Sequence, residues 1–255
     1  MAHLSLSTAA HLDFMQTEEY SVKILKGMVL DITLGSGVFK PTGTSTEIAT
    51  AVNNHIITPG KTLDLGCGSG VVGLALAMSK KIHSTLFASD ISEDAVNYLK
   101  INANKYGIDI DARSGSIFDP WDGEKFDYII DDISGVAERI AEISPWFKET
   151  ACESGEDGTK LVIEAIEKSP NHLNKNGKFF FPILSLSNSE KILSRANDIY
   201  ENIEMISTKQ WQLPKEMSSF KDELLVLRDK KVIDFEEKYG WLLWTTDVYV
   251  ASNPR

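Results

Sequence analysis

The chain has 255 residues, 42% hydrophobic and 25% charged, which is the balance of a soluble globular protein and not of a disordered one. Its 26 basic and 37 acidic residues leave a formal charge of −11, which repels phosphate backbones unless the basic residues cluster on one face. The lysines are scattered, so nucleic acid is disfavoured as a partner. Two cysteines, Cys67 and Cys152, cannot build a disulfide framework, and no window approaches a membrane span. A cytoplasmic location without a membrane partner is the expectation.

The opening stretch MAHLSLSTAAHLDFMQ has no basic start followed by an apolar run, so no leader is expected. EYSVKILKGMVLDITL, residues 19 to 34, has short β-rich runs on either side of Lys26-Gly27, the pattern of a hairpin. A Gly, Pro and Thr-rich loop follows and opens a helix near Ser45 to Asn53, with hydroxyl residues available as caps. From residue 61 the chain alternates. KTLDLG is a strand, SGVVGLALAMSK a helix, STLFASD a strand, and EDAVNYLKINANKYG a helix ending at Gly107. IDIDARSGS and KFDYIID are strands, GVAERIAEISPWFKE holds a short helix, GTKLVIEAIEKSPNHL a helix and GKFFFPILS a strand. Such alternation predicts a parallel sheet with helices on both faces, the doubly wound α/β class.

In the tail, IEMISTKQWQL reads as a strand and KEMSSFKDELLVLRDK as an amphipathic helix. VIDFEEKYGWLLWTTDVYVAS reads as two extended runs joined at Tyr239-Gly240, an antiparallel hairpin closing the sheet. The expected division is an N-terminal extension with the hairpin over residues 1–36 and one domain over 37–255. Five histidines (His3, His11, His55, His83, His172) lack metal-ligand spacing, and no metal is expected. Oligomeric state stays open, since Trp241, Trp244 and Tyr249 suit either the sheet or a second subunit.

The most specific signal is LDLGCGSGVVG. A strand ends at Leu65, glycines 66, 68 and 70 allow a tight turn close to a ligand, and a helix begins at once. Gly68, Gly70 and Gly73 also satisfy the dinucleotide fingerprint, which keeps a nicotinamide-dependent oxidoreductase in view. Asp90, at the end of the next strand, suits two ribose hydroxyls in either case. Asp64, inside the first strand end, favours a different nucleotide cofactor.

With DLGCGSG and FASD, the chain resembles the class I S-adenosylmethionine-dependent methyltransferases. GVFKPTGTSTE, KFDYII and SGEDGTKLVIEAIEKSPNHLNKNGKFFF narrow the likeness to the group of release-factor glutamine N-methyltransferases and small-domain methyltransferases, from Gly37 to Phe181. The resemblance implies S-adenosylmethionine as cofactor. It puts Asp64 near the methionine ammonium, Gly66, Cys67, Gly68 and Gly70 against the methionine and ribose, and Asp90 on the ribose. Ile91 then flanks the adenine, and Ser116 with Ile117 stands where the family contacts the base, Asp119 being the alternative. Where that group carries Asn-Pro-Pro-Tyr, this chain has Asp132-Ile133-Ser134-Gly135, so amide-nitrogen methylation does not carry over.

Asp131 and Asp132 end a buried strand, where an unpaired ionised carboxylate costs several kcal/mol. Both are expected to face cofactor and substrate as catalytic residues, Asp132 more than Asp131, with helix capping as the competing role. Phe39, Pro41, Thr42, Ser134 and Trp146 are the expected substrate contacts, with Phe147 beside Trp146. The acidic loop ESGEDG (Glu153, Glu156, Asp157) reads as a solvated helix start; lining of the site by this loop would favour a cationic substrate. The expected activity is methyl transfer to a nitrogen, or to an oxygen, of a small molecule or protein side chain. A cofactor-binding subunit without catalysis is the third reading.

Overall fold

The computed structural model describes residues 17–25, 27–148, 150 and 152–255; the predicted extension over 1–16, with His3 and His11, lies outside them. Strands β1 (Thr17–Ile24) and β2 (Met28–Gly35) form the hairpin, turning at Gly27 with φ +85°. Helix α1 (Gly43–His55) is capped by Thr42, whose hydroxyl accepts from Thr44 N. There follow β3 (Gly60–Leu65), α2 (Val71–Met78), β4 (Ile82–Asp90), α3 (Glu93–Lys105), β5 (Asp109–Ser114) and β6 (Phe126–Asp131). Next come α4 (Glu138–Ile143), α5 (Lys160–Lys168), β7 (Leu173–Leu184), α6 (Ser189–Ile199) and β8 (Tyr200–Gln212). Helix α7 (Lys221–Asp229), β9 (Glu236–Lys238) and β10 (Trp241–Pro254) complete the chain.

The main sheet runs β5-β4-β3-β6-β7-β10-β8, with β9 paired to β10. Strands β3 to β7 pair in parallel, and β10 runs antiparallel to β7, β8 and β9. From β3 the chain first moves outward through β4 to β5, then returns to place β6 on the other side of β3. That reversal puts a crevice at the carboxyl ends of β3 and β6, where open α/β sheets bind ligands.

Side chains of one strand part to opposite faces. Ile130 and Phe180 join the core under α1, α2, α3 and the hairpin, whereas Ile129, Phe179 and Phe181 join the core under α5 and α6. Both faces of the doubly wound sheet are therefore covered. A third apolar cluster joins α4 and α7 to the end of β10 through Ile140, Leu224 and Trp244.

Three elements differ from the sequence reading. Residues 215–230 are a 3-10 turn (Lys215–Phe220) followed by α7 and not one helix. Helix α6 was not anticipated, because only Ile192 and Ala196 of its eleven residues are buried and the apolar stripe is thin. The C-terminal hairpin exists, but β9 contributes three residues and the main partners of β10 are β7 and β8.

The hairpin is tied to the domain by an uncommon edge. Asn102, fully buried on α3, accepts from Thr33 N (2.8 Å) and donates to Thr33 O (3.1 Å) and to Ser69 O (3.0 Å) in the glycine loop. One turn on, Tyr106 accepts from Asp31 N (2.7 Å) and donates to Asp31 O (3.1 Å). Four helical residues rise about 6 Å and two strand residues about 6.7 Å, so α3 side chains pair the β2 edge as a strand would. Asn102→Leu keeps the volume and removes all three bonds, so stability in urea denaturation falls by about 2–4 kcal/mol. A loss below about 0.5 kcal/mol would refute this account of the edge.

Candidate functional site

A cavity of about 770 Å³ opens at the carboxyl ends of β3, β4 and β6. Its floor is the glycine loop. Gly66 N and Cys67 N both donate to Ser89 O (2.9 and 3.0 Å), and Gly68 N donates to Asp90 Oδ2 (2.9 Å). The other oxygen, Oδ1, accepts from Ser92 N at the start of α3 (2.9 Å). Gly66 adopts φ +74°, and a Cβ there would lie 2.9 Å from Ile133 N, so only glycine lets the two strand-end loops meet. At Gly68 a Cβ would meet nothing within 4 Å, since that backbone faces open space.

Of the expected cofactor contacts, Gly66, Cys67, Gly68, Asp90, Ile91, Ser116 and Ile117 line this cavity. Ile91 is 75% exposed, an apolar flank available to a planar base. Asp119 is exposed and not part of the lining, whereas Ser116 is. Of the expected substrate contacts, Phe39, Pro41, Thr42, Ser134 and Trp146 also line it, as does Asp132.

Three expected residues stand behind the wall. Gly70 caps α2 at φ +95°, where a Cβ would lie 2.2 Å from Leu99 Cδ1; it is a packing glycine. Asp64 is fully buried beneath the loop, with Oδ2 accepting from Gly73 N (2.8 Å) and Oδ1 without a protein partner. Asp131 is likewise fully buried, its Oδ1 accepting from Ile133 N (2.9 Å) to fold the turn after β6. Strand alternation explains the separation of the two neighbours: Asp132 turns toward the cavity and Asp131 away from it. The catalytic expectation for Asp131 is therefore replaced by a turn-forming role.

Asp132 is anchored by its own N–H to Leu65 O (2.9 Å) and carries a side-chain hydrogen bond with Ser45. Burial, then the charges of Asp64, Asp131 and Asp90, hold its carboxyl well above the usual range against that hydrogen bond. Burial also raises Asp90, although the N–H donors of Ser92 and Gly68 oppose it. Asp64 and Asp131 are each raised to about 7, chiefly by burial. Burial lifts the Cys67 thiol as well, which makes it a wall and not a nucleophile. The ion pairs among the described residues include none of these four aspartates.

The sequence reading missed Trp211, Gln212, Pro214 and Trp244, which form the far wall. Trp244 and Trp211 sit directly opposite one another on β10 and β8, a pairing that becomes visible only once the strand order is known. Glu153 of the acidic loop also lines the cavity, whereas Asp157 accepts from Thr159 Oγ1 (2.7 Å) at the α5 start and pairs with Lys191 (2.7 Å).

Residues 42–132 match the family model of the methyltransferase small domain. The ribosomal protein L11 methyltransferase of Lactobacillus johnsonii is 33% identical over 173 residues, 65% of this chain and 46% of that protein. The release factor glutamine methyltransferase of Geobacter sulfurreducens is 26% identical over 139 residues, 51% and 47% respectively. These matches thus span under half the length of either relative. Among solved structures, the Thermus thermophilus 16S rRNA N2 G1207 methyltransferase in complex with AdoMet and guanosine superposes with TM-score 0.55 at 13% identity, over 91% of this chain and 50% of that one. The ribosomal protein L11 methylase of Lactobacillus delbrueckii subsp. bulgaricus gives 0.50 at 18%, over 82% and 81%. Because the first of these acts on rRNA, the argument from charge against nucleic acid gains no support from fold relatives. No helix among the described residues is long and apolar enough to cross a membrane.

Asp131 offers a test of the buried carboxylates. Its folded value of about 7 lies above its ordinary 3.8, so the folded state holds the proton more tightly. This stability is full below about pH 4 and is lost as pH rises through about 7. Asp131→Asn keeps the acceptor for Ile133 N and carries no charge. Its melting curves are expected to match the unsubstituted chain near pH 4 and to show a gain of about 1–3 kcal/mol near pH 8. A gain that shrinks with rising pH would contradict the assignment. Residues 42–132 thus carry the match to the methyltransferase small domain, set in a fold that superposes on Rossmann-like methyltransferase structures, and the chain is similar over part of its length to ribosomal protein L11 and release factor glutamine methyltransferases.

Proposed function

We propose that the protein transfers a methyl group from S-adenosylmethionine to a nitrogen of a small molecule or a protein side chain. The observation that carries this reading is Asp90. Each of its oxygens accepts one backbone N–H, from Gly68 and from Ser92, and each keeps a lone pair for a vicinal ribose hydroxyl. Gly68 presents bare backbone beside it, Ile91 an apolar flank for the base, and Ser116 a hydroxyl at the base position.

When bound, S-adenosylmethionine supplies an electrophilic methyl group on a sulfonium, and sulfur keeps the bonding pair on transfer. The protein has to align the nucleophile, free its lone pair and exclude water. Asp132, fixed through Leu65 O and Ser45 at the cavity wall, is the group placed to hold the nucleophile and accept its proton. Oxygen acceptors are the second outcome compatible with a carboxylate there.

Calorimetry separates this reading from a nicotinamide enzyme. S-adenosylhomocysteine is expected to bind and NADH to give no heat. Asp90→Ala weakens S-adenosylhomocysteine by roughly tenfold to a hundredfold, the loss of charge-assisted bonds to two hydroxyls. Asp132→Asn leaves that affinity within about threefold. Heat with NADH alone overturns the proposal.

A further inference from the structure

Between the glycine loop and the N-terminal hairpin stands a fully buried amide, that of Asn102 on α3. Its Nδ2 donates to Ser69 O (3.0 Å) in the loop and to Thr33 O (3.1 Å) in β2, while Oδ1 accepts from Thr33 N (2.8 Å). The strand therefore sets which way the amide faces. With Thr33 N–H committed to Oδ1, the two hydrogens of Nδ2 are aimed at carbonyls, and one of these belongs to the loop.

The bond to Ser69 O fixes a peptide that the chain alone leaves free to turn. Its other end is Gly70 N, which donates to Cys67 O (2.8 Å), and Gly70 sits at φ +95°, where the glycine backbone meets little steric resistance. Cys67 N on Ser89 O and Gly68 N on Asp90 Oδ2 shape the same loop from the β4 side, so α3 supplies the opposing support. On the hairpin side, β2 ends at Gly35, where a Cβ would lie 2.3 Å from the Tyr98 ring, and Val38 N turns back to Gly35 O (3.3 Å). Gly37, Val38 and Phe39 then line the cavity. Hairpin docking thus governs one wall of the cavity, and Asn102 ties that docking to the floor.

We infer that Asn102 is a positioning residue for the cofactor site, passing the docking of the hairpin on to the glycine loop, so that a nucleoside cofactor on the loop and the hairpin on α3 stabilise one another. This rests on the methyltransferase reading above and deepens it, because it gives residues outside the cavity a part in cofactor binding. Neither Asn102 nor Thr33 belongs to the lining, so the effect runs through Ser69 O. Such coupling is reciprocal: what the hairpin adds to cofactor affinity, the cofactor returns to hairpin docking. Tyr106 provides a contrast, since both of its side-chain bonds end on Asp31 of β2 and not on the loop.

The test uses the full chain and begins with calorimetry. S-adenosylhomocysteine is titrated into the unsubstituted protein; absence of heat at that stage fells the cofactor reading itself. Asn102→Leu is expected to weaken this ligand by about fivefold to thirtyfold, and Tyr106→Phe to leave it within about twofold. Amide exchange adds a readout that a merely structural side chain would not move. Saturating S-adenosylhomocysteine is expected to slow exchange of Asp31 N–H by at least about threefold in the unsubstituted chain. In Asn102→Leu, where the Tyr106 bond to Asp31 remains, that slowing is expected to vanish. The exchange measurement on the unsubstituted chain keeps the inference open to refutation even if Asn102→Leu does not fold. The inference is overturned, with the cofactor reading intact, if the ligand leaves Asp31 exchange in the unsubstituted chain unchanged, if the slowing persists in Asn102→Leu, if Asn102→Leu binds within about twofold of the unsubstituted chain, or if Tyr106→Phe weakens the ligand as much as Asn102→Leu does.

Discussion

The site depends on the clamp that Ser89 and Asp90 place on the glycine loop. Two consecutive N–H groups converge on Ser89 O, and a third, from Gly68, ends on the Asp90 carboxylate. A loop of positive-φ glycines has high conformational entropy in the unfolded chain, so it needs several bonds to hold one shape. Here those bonds come from the end of the neighbouring strand, whose position is fixed by the β3–β4 parallel register. Trp121 completes the support by donating Nε1–H to Ser89 Oγ at 2.9 Å. The loop conformation is thereby a property of the sheet, and Asn102 extends the same constraint to the hairpin through Ser69 O.

That clamp gathers acidic side chains where a folded protein tolerates them least. Asp64 and Asp131 are fully buried and each has an oxygen without a partner, yet neither reaches the cavity lining. Each accepts a backbone N–H, Asp64 from Gly73 in the first turn of α2 and Asp131 from Ile133 in the turn after β6. With values near 7, both can stay neutral below that pH and avoid most of the desolvation cost. Their charge, when present, raises Asp132 further and makes it a stronger base than an isolated carboxylate. Structural and chemical roles are thus divided between Asp131 and Asp132 by the alternation of a strand.

Much of the fold was legible because its signals are local. The strand-loop-helix at Leu63 to Leu76, the carboxylate at Asp90 and the turn at Tyr239-Gly240 each sit within a short stretch of the chain. What was not legible depends on order in space. Nothing local announces that β10 slips between β7 and β8, and without that insertion Trp244 cannot be set opposite Trp211 or placed in the cavity. The same holds for Asp64 and Gly70, which sit in the most recognisable motif of the chain yet serve packing: a Cβ on Gly73 would approach Asp64 Oδ2 to 2.7 Å. A motif names the neighbourhood of a ligand, whereas burial decides which of its members touch it.

The division of the cavity follows the division of the chain. Cofactor-side residues from Gly66 to Asp132 fall within the 42–132 segment shared with the small-domain family. The aromatic wall comes from outside it, from Phe39 before and from Trp146, Phe147, Trp211 and Trp244 after. Asp132 is the last residue of the shared segment and the point where the two halves meet. A carboxylate at that seam, with an aromatic wall in place of the Pro-Pro-Tyr that the resembling group carries, changes what the site can stabilise. A carboxyl at that position can take up and release a proton, whereas a carboxamide cannot. The aromatic side of the cavity is thus built from segments outside the matched one, and likeness within 42–132 does not extend to it.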